Sequence, residues 1–216
     1  MSHALTQVLR SDARENRDRI LEAAREIFAE SGLDVTMRQI ARRAAVGPAT
    51  LYRRFPSKQD LIHAAFRREL VSCQAIVDQG AADADAWHGL CAVIEQITVL
   101  NAHNQGFTDA FLDDHPGEFD FSAHRRGMLR QLSALIRRAQ GAGALRNDFT
   151  IDDFVLILLA GRALARTPLA TRADAARRFA ALTIEGLRAA PTNSPLPPRV
   201  PLAAEIAGPA IESTAV

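Results

Sequence analysis

Residues 47–58 read Gly-Pro-Ala-Thr-Leu-Tyr-Arg-Arg-Phe-Pro-Ser-Lys, a helix-sized segment fenced by two prolines. Pro48 suits the first helical position, where φ is already set and a missing N–H does no harm, and Pro56 closes the segment. What lies between is about two turns, too short to hold itself together in water, so neighbouring elements must support it. Leu51 and Phe55, four apart, give it an apolar face for that support. Thr50, Tyr52, Arg53 and Arg54 occupy the other side, and these groups hydrogen-bond phosphates and base edges. A supported short helix with a basic, hydroxyl-bearing front has the character of a recognition helix.

The rest of the chain supplies only helices to support it. Residues 1–11 show no periodicity and read as a flexible arm. From residue 12 to 31, Ile20, Ala24, Ile27 and Phe28 repeat near 3.6, and Gly32 stops this first helix. Thr36 and Gln39 form a capping-box pattern that starts a second helix, to about residue 44, and Ala45-Val46 turns into the recognition segment. Ser57 and Asp60 cap a long fourth helix, 57–78, followed by a small-residue joint at 80–85. A fifth helix carries Trp87, Leu90, Cys91, Ile94, Ile97, Thr98 and Asn101 inward, a short sixth spans about 107–114, and a seventh runs over 122–140. Thr150 and Thr171 each precede an Asp by three and open an eighth helix, to about 165, and a ninth, to about 189. Residues 191–216, rich in Pro and Ala, read as a disordered tail. The expected fold is therefore all-α, with about nine helices and no strand alternation.

Charge and cysteine usage narrow the function. Residues 1–70 hold 13 Lys/Arg against 9 Asp/Glu, a net of +4, while the remainder nets −3. The basic end is the nucleic-acid end. Cys73 and Cys91 have neither a metal-ligand spacing nor a disulfide framework and fit a reducing compartment. No signal peptide opens the sequence, and the most apolar run, 154–160, falls far short of the ~20 residues that span a bilayer, so a cytoplasmic protein is expected. No nucleophile with a base, phosphate loop or repeated Glu-x-x-His pair argues for an enzyme.

Thr36-Met-Arg-Gln-Ile-Ala41, Ala45-Val46-Gly47-Pro48, Thr50-Leu-Tyr-Arg-Arg-Phe55 and Ser57-Lys58 together resemble the TetR family of transcriptional regulators, over about residues 14–66. The resemblance implies a helix-turn-helix DNA-binding domain at 12–56. It also implies an effector-binding and dimerisation domain at 57–190, with 57–78 as the connecting helix. By position it puts Thr36 and Arg38 at a base edge or phosphate, and Pro48, Ala49 and Thr50 against bases. It sets Tyr52 and Lys58 on phosphates, and Arg53 and Arg54 on backbone or bases. Two positions depart from the family pattern: Ala45 stands where Gly is usual, and Gly47 replaces a Ser or Thr cap. An Ala held at positive φ costs on the order of 1 kcal/mol, and Gly47 offers no hydroxyl to a phosphate.

The resemblance further implies a homodimer on a palindromic operator in double-stranded DNA, released by a small-molecule effector that moves the fourth helix. The paired recognition helices would then miss major grooves ~34–36 Å apart. Trp87, Cys91, Phe107, Phe111, His124, Met128 and Gln131 mix aromatic surface with polar handles and are the candidate effector pocket. The eighth helix is apolar all round and must be buried all round, either at the centre of one bundle or at a two-fold interface with the ninth. In the second case Phe154, Leu158, Gly161, Phe179, Leu182, Thr183 and Gly186 form the dimer contact. His103, Asp109, Asp113, Asp114, His115, Glu118, Asp120 and His124 lack paired-ligand spacing and read as solvated loop, so no metal or cofactor is expected. Two other functions fit the composition, an architectural DNA-binder without an effector and a helical-bundle enzyme.

Overall fold

The computed structural model describes residues 2–112 and 121–207. Its elements are α1 (Ser2–Ser31), α2 (Met37–Arg43), α3 (Pro48–Arg54), α4 (Lys58–Ala82), α5 (Ala86–His103), α6 (Gln105–Leu112) and α7 (Phe121–Gly141). Then follow α8 (Ile151–Gly161), a 3-10 turn (Arg162–Arg166), α9 (Leu169–Leu187) and α10 (Leu202–Ala207). No strand occurs among the described residues; one isolated bridge joins Leu145 and Arg188.

Local chemistry starts the helices where the sequence puts it. At α2 the Gln39 amide donates to Thr36 Oγ1 at 3.3 Å, and the Thr36 amide donates to Gln39 Oε1 at 2.7 Å. Ser57 and Asp60 repeat the exchange at α4, both bonds being 3.0 Å, and the Thr150 amide donates to Asp153 Oδ2 at 2.7 Å before α8. Each exchange satisfies amides that a helix start otherwise leaves bare.

Several boundaries differ from expectation. The arm expected over 1–11 is helical from Ser2, because extending an already packed helix costs far less than nucleating one. α8 ends at Gly161 and tightens into the 3-10 turn, and α9 starts at Leu169 behind Pro168, which leaves Thr171 inside the helix. The tail is not uniformly irregular: α10 forms within it and packs on α7 and α8. Residues 208–216, also expected to be tail, lie outside the described residues.

α1, α2 and α3 form the helix-turn-helix, and α4 carries it onto a bundle centred on α5, which touches α4, α7, α8 and α9. One core runs through both parts, from Ile20 and Phe28 by Leu61 and Phe66 to Leu90, Leu135 and Phe154. α4 continues past the expected end at residue 78 to Ala82, and its Gly80 lies directly against Gly89 of α5, with no room for a Cβ on either.

The turn into α3 keeps its shape at a cost. Ala45 has φ +52°, a left-handed conformation that a Cβ opposes. Ala45→Gly is therefore expected to raise the unfolding free energy by about 0.5–1 kcal/mol, strain relief less the greater chain entropy of glycine. A urea midpoint that stays or falls would mean that this turn relaxes around the alanine.

Candidate nucleic-acid interface and inner cavity

α3 sits with Leu51 and Phe55 buried, and its outer face is open. Pro48, Ala49, Arg53 and Arg54 are exposed, Thr50 is half-buried, and Tyr52 is 49% exposed. Arg38 projects from the first turn of α2, exposed, and Lys58 is half-buried at the start of α4. Thr36 is exposed too, but its hydroxyl is engaged in the cap, donating to Gln39 Oε1 at 2.7 Å. The fold thus brings all nine sequence-selected residues to one end of the molecule.

The basic residues here sort into two kinds. Arg43 is held by Glu26 at 3.1 Å and Glu30 at 2.5 Å, and Arg25 Nε donates to the Ala65 carbonyl at 2.8 Å, so these brace α1 against α2 and α4. The guanidinium of Arg43 correspondingly holds the Glu30 carboxyl below its ordinary range, by hydrogen bonding first. Arg38, Arg53, Arg54 and Lys58 make no ion pair with any described residue. Arg17 of α1, exposed beside this face, stacks over the Phe55 ring at 5.6 Å and so borders α3. Its signal, an Arg one turn before the first buried residues of α1, was visible but not specific.

Behind this end lies a small, partly open cavity of ≈40 Å³, walled almost entirely by carbon. Phe107, Phe111 and Met128 line it, as the sequence predicts. Trp87, Cys91, His124 and Gln131 do not. Trp87 lies under the Arg188 guanidinium at 5.3 Å, and Gln131 ties α7 to α4 through Asp78 at 2.9 Å and Gln74 at 3.0 Å. His124 is exposed, and Cys91 is half-buried away from the cavity. The cavity's polar groups are Asn101, Thr108 and Arg125 instead. Arg125 is only 2% exposed, and its Nη1 donates to the Phe111 carbonyl at 2.8 Å.

Cys73 also lines the cavity, and burial, with Glu69 adding, pushes its thiol up to about 12. It stays protonated at neutral pH, which is the state of an unreactive buried thiol. In the acidic, His-bearing cluster, Asp109 is paired with Arg162, and residues 113–120 lie outside the described residues. No described group of His, Cys, Asp and Glu is placed to hold a metal.

The proposed dimer contact needs correction on α8. Phe154 and Leu158 face into the monomer and line the cavity, and Gly161 is buried with them. The outward stripe of α8 is Leu156, Leu159, Ala160 and, in the 3-10 turn, Ala163; on α9, Phe179, Leu182, Thr183 and Gly186 do face outward or sit half-buried.

A helix-turn-helix with an open basic face, carried on an all-α bundle, is the architecture of a DNA-binding transcriptional regulator. Residues 20–65 match the model of the bacterial regulatory proteins of the TetR family, and residues 85–189 match the C-terminal domain of SbtR-like transcriptional regulators. A TetR transcriptional regulator from Streptomyces coelicolor is 31% identical, with 80% of this chain and 98% of that one covered and a TM-score of 0.51. The ketosteroid transcriptional regulator KstR2 of Mycobacterium tuberculosis shares the fold at 20% identity, with 80% of this chain and 94% of that one covered and a TM-score of 0.65. An HTH-type transcriptional regulator of Staphylococcus aureus is 43% identical over 63 residues, 29% of this chain; the match spans 34% of that relative's length. The chain belongs to the TetR family of transcriptional regulators. No described helix is long and apolar enough to cross a membrane.

Proposed function

We propose that the chain is a homodimeric repressor that binds a palindromic operator and leaves it when a small-molecule effector enters the bundle. Residues 12–56 read DNA, residues 57–190 sense and pair, and α4 connects them. The observation that carries the DNA half is the outer face of α2 and α3, where Arg38, Arg53, Arg54 and Lys58 are left without ion pairs among the described residues while Arg43 and Arg25 are tied down. Arg38 suits bidentate pairing with guanine, and Ala49 and the Thr50 methyl suit a thymine methyl. Tyr52 and Lys58 supply phosphate contacts.

An aromatic row supports the effector half. Phe28 of α1, Phe66 of α4, and Phe107 and Phe111 of α6 follow one another with ring centroids 5.8, 5.9 and 5.6 Å apart, ending at the cavity. A Cβ on Gly106 would stand 3.0 Å from Phe28 Cβ, so α6 also bears directly on α1. At ≈40 Å³ the cavity is far below the ~300 Å³ of small-molecule sites, so an effector must displace its walls. Movement of α6 would reach the reading head through these contacts. A coupling of about 1–3 kcal/mol would weaken operator binding about 5- to 150-fold. The neighbour named for ketosteroids supports a small-molecule ligand in this fold.

Selection of bound genomic fragments tests the DNA half, and is expected to return a two-fold symmetric site. On that site Arg38→Ala should cost about 1–3 kcal/mol and relax base preference, whereas Lys58→Ala should weaken all duplexes alike and flatten the salt slope by about one unit. Equal losses on selected and random DNA would remove Arg38 from base reading, and an unchanged slope would remove Lys58 from the phosphate set.

A further inference from the structure

One wall of the inner cavity comes from outside the bundle that forms the rest. Ile206 of α10 lines it with residues of α4, α5, α6, α7 and α8. α10 is six residues long, far too short to stand alone, so its contacts with α7 and α8 keep it helical. Few bonds hold it there. The Ala203 amide donates to Asp152 Oδ1 at 2.8 Å, and Arg199 Nη1 stands 3.7 Å from Asp152 Oδ2. Upstream, the Leu196 amide donates to Asp148 Oδ2 at 2.9 Å, and Arg146 Nη2 donates to the Ser194 carbonyl at 2.7 Å. Residues 188–201 are otherwise exposed, and Pro191, Pro195, Pro197, Pro198 and Pro201 stiffen them while removing backbone donors. Residues 190–201 and α10 lie beyond residue 189, where the family match ends.

On the other side of α10 runs an open groove of ≈520 Å³, bordered by Leu129, Arg130, Arg137, Ala203 and Ala204. Leu129 faces both spaces, so α10 is the partition between them. Arg130 and Arg137 are exposed on α7 and have no ion pair among the described residues. A carbon-walled cavity therefore opens, once α10 lifts, onto a mouth that carries three arginines, the exposed Arg130 and Arg137 and the half-buried Arg126.

We infer that α10 is the lid of the cavity, and that the ligand it admits is an amphipathic anion. The apolar end of that ligand takes the place of Ile206, and its anionic end lies on Arg130 and Arg137. The role of this ligand as effector rests on the function proposed above; its binding does not. Lifting the lid exchanges a handful of hydrogen bonds for contacts with the ligand and joins a cavity too small for an effector to a groove of adequate size. A lid that is open about a tenth of the time withholds about tenfold in affinity.

The test is calorimetric titration of the full chain, without DNA, with decanoate, decan-1-ol and decyltrimethylammonium below their micelle concentrations. Decanoate should bind at one site per chain, at least tenfold more tightly than the other two. Asp152→Ala, which frees the Ala203 amide without altering the cavity wall, should tighten decanoate binding about tenfold, and Ile206→Ala should act in the same direction. Arg130→Gln with Arg137→Gln should bring decanoate down to the affinity of the alcohol. Amide exchange at residues 203–206 should accelerate when the wild-type chain is saturated with decanoate. Equal affinity for the three probes, unchanged affinity in both lid variants, or unchanged exchange at α10 would each overturn the inference. Decanoate that binds in the expected pattern but leaves selected DNA bound would support the lid and overturn the effector role alone.

Discussion

Gly89→Ala is expected to lower the unfolding free energy by about 3 kcal/mol, the upper end of what forcing one extra methyl into a packed core costs. A Cβ on Gly89 would press on the Gly80 carbonyl oxygen, well inside van der Waals contact, and would stand 3.0 Å from Asp83 Cβ. The obstacle is backbone, so no rotamer change relieves it. α5 cannot simply step back, because Leu90, Val93 and Ile94 on the same stretch are fully buried against their neighbours. Urea unfolding at constant slope measures the loss. A loss under about 1 kcal/mol would show that α4 slides past α5 cheaply.

The same crossing bears on the release from DNA proposed above. α4 spans 25 residues, with Lys58 at the reading end and Gly80 near the other. About 33 Å of helix separates those two residues, so a rotation of about 5° at the crossing would carry Lys58 by about 3 Å. Cys73 and Val77, which line the cavity, sit between them, closer to the pivot. A small displacement at the cavity is therefore enlarged at the DNA end, provided that the pivot is firm. Gly89→Ala should for that reason disturb operator affinity as well as stability.

Features that depend on a few adjacent residues were legible in the sequence. The caps at Thr36, Ser57 and Thr150 are four-residue arrangements, and in each the capping amide bonds the side chain three residues on. The open face of α3 was legible because two prolines and two buried side chains fix which side points out. Features decided by tertiary context were not. α8 is apolar all round, so periodicity could not say that Leu158 faces in, at 8% exposure, while Leu156 faces out at 55%. Arg125 sits in a run with Arg126 that reads as a solvated face, yet it is among the most buried side chains. Trp87 and Cys91 share a helix with the true cavity residues Ile97 and Asn101, but stand about two to four turns away along it. α10 is too short for any periodic signal, and prolines precede it, so only its docking reveals it.

Leu182→Glu is expected to abolish high-affinity operator binding while leaving the monomer folded. Leu182 is 65% exposed on α9, Leu156 is 55% exposed on α8, and half-buried Phe179 lies one turn before Leu182. Isolated exposed leucines need no explanation, but a stripe shared by two adjacent helices marks an interaction surface. If that surface pairs with its own copy, two-fold symmetry places two introduced carboxylates in one apolar contact, each costing several kcal/mol to bury unpaired. The substitution should therefore convert a dimer to a monomer in sedimentation, with the helical circular dichroism and the unfolding midpoint nearly unchanged. A monomer neutralises half the phosphates, so the slope of log affinity against log salt should fall to about half, since that slope scales with the number of phosphates contacted. Affinity for a two-fold site should drop more than about a hundredfold, because the second half-site no longer binds as part of the same molecule. Leu182→Ala separates the two causes: it trims the stripe without adding charge and should weaken the dimer only moderately. Leu158→Glu is the contrasting control, since its side chain lines the inner cavity and the same carboxylate there should unfold the chain. A Leu182→Glu protein that remains dimeric and keeps its salt slope would move the pairing surface off α8 and α9. A wild-type chain that is monomeric at micromolar concentration would remove the homodimer altogether.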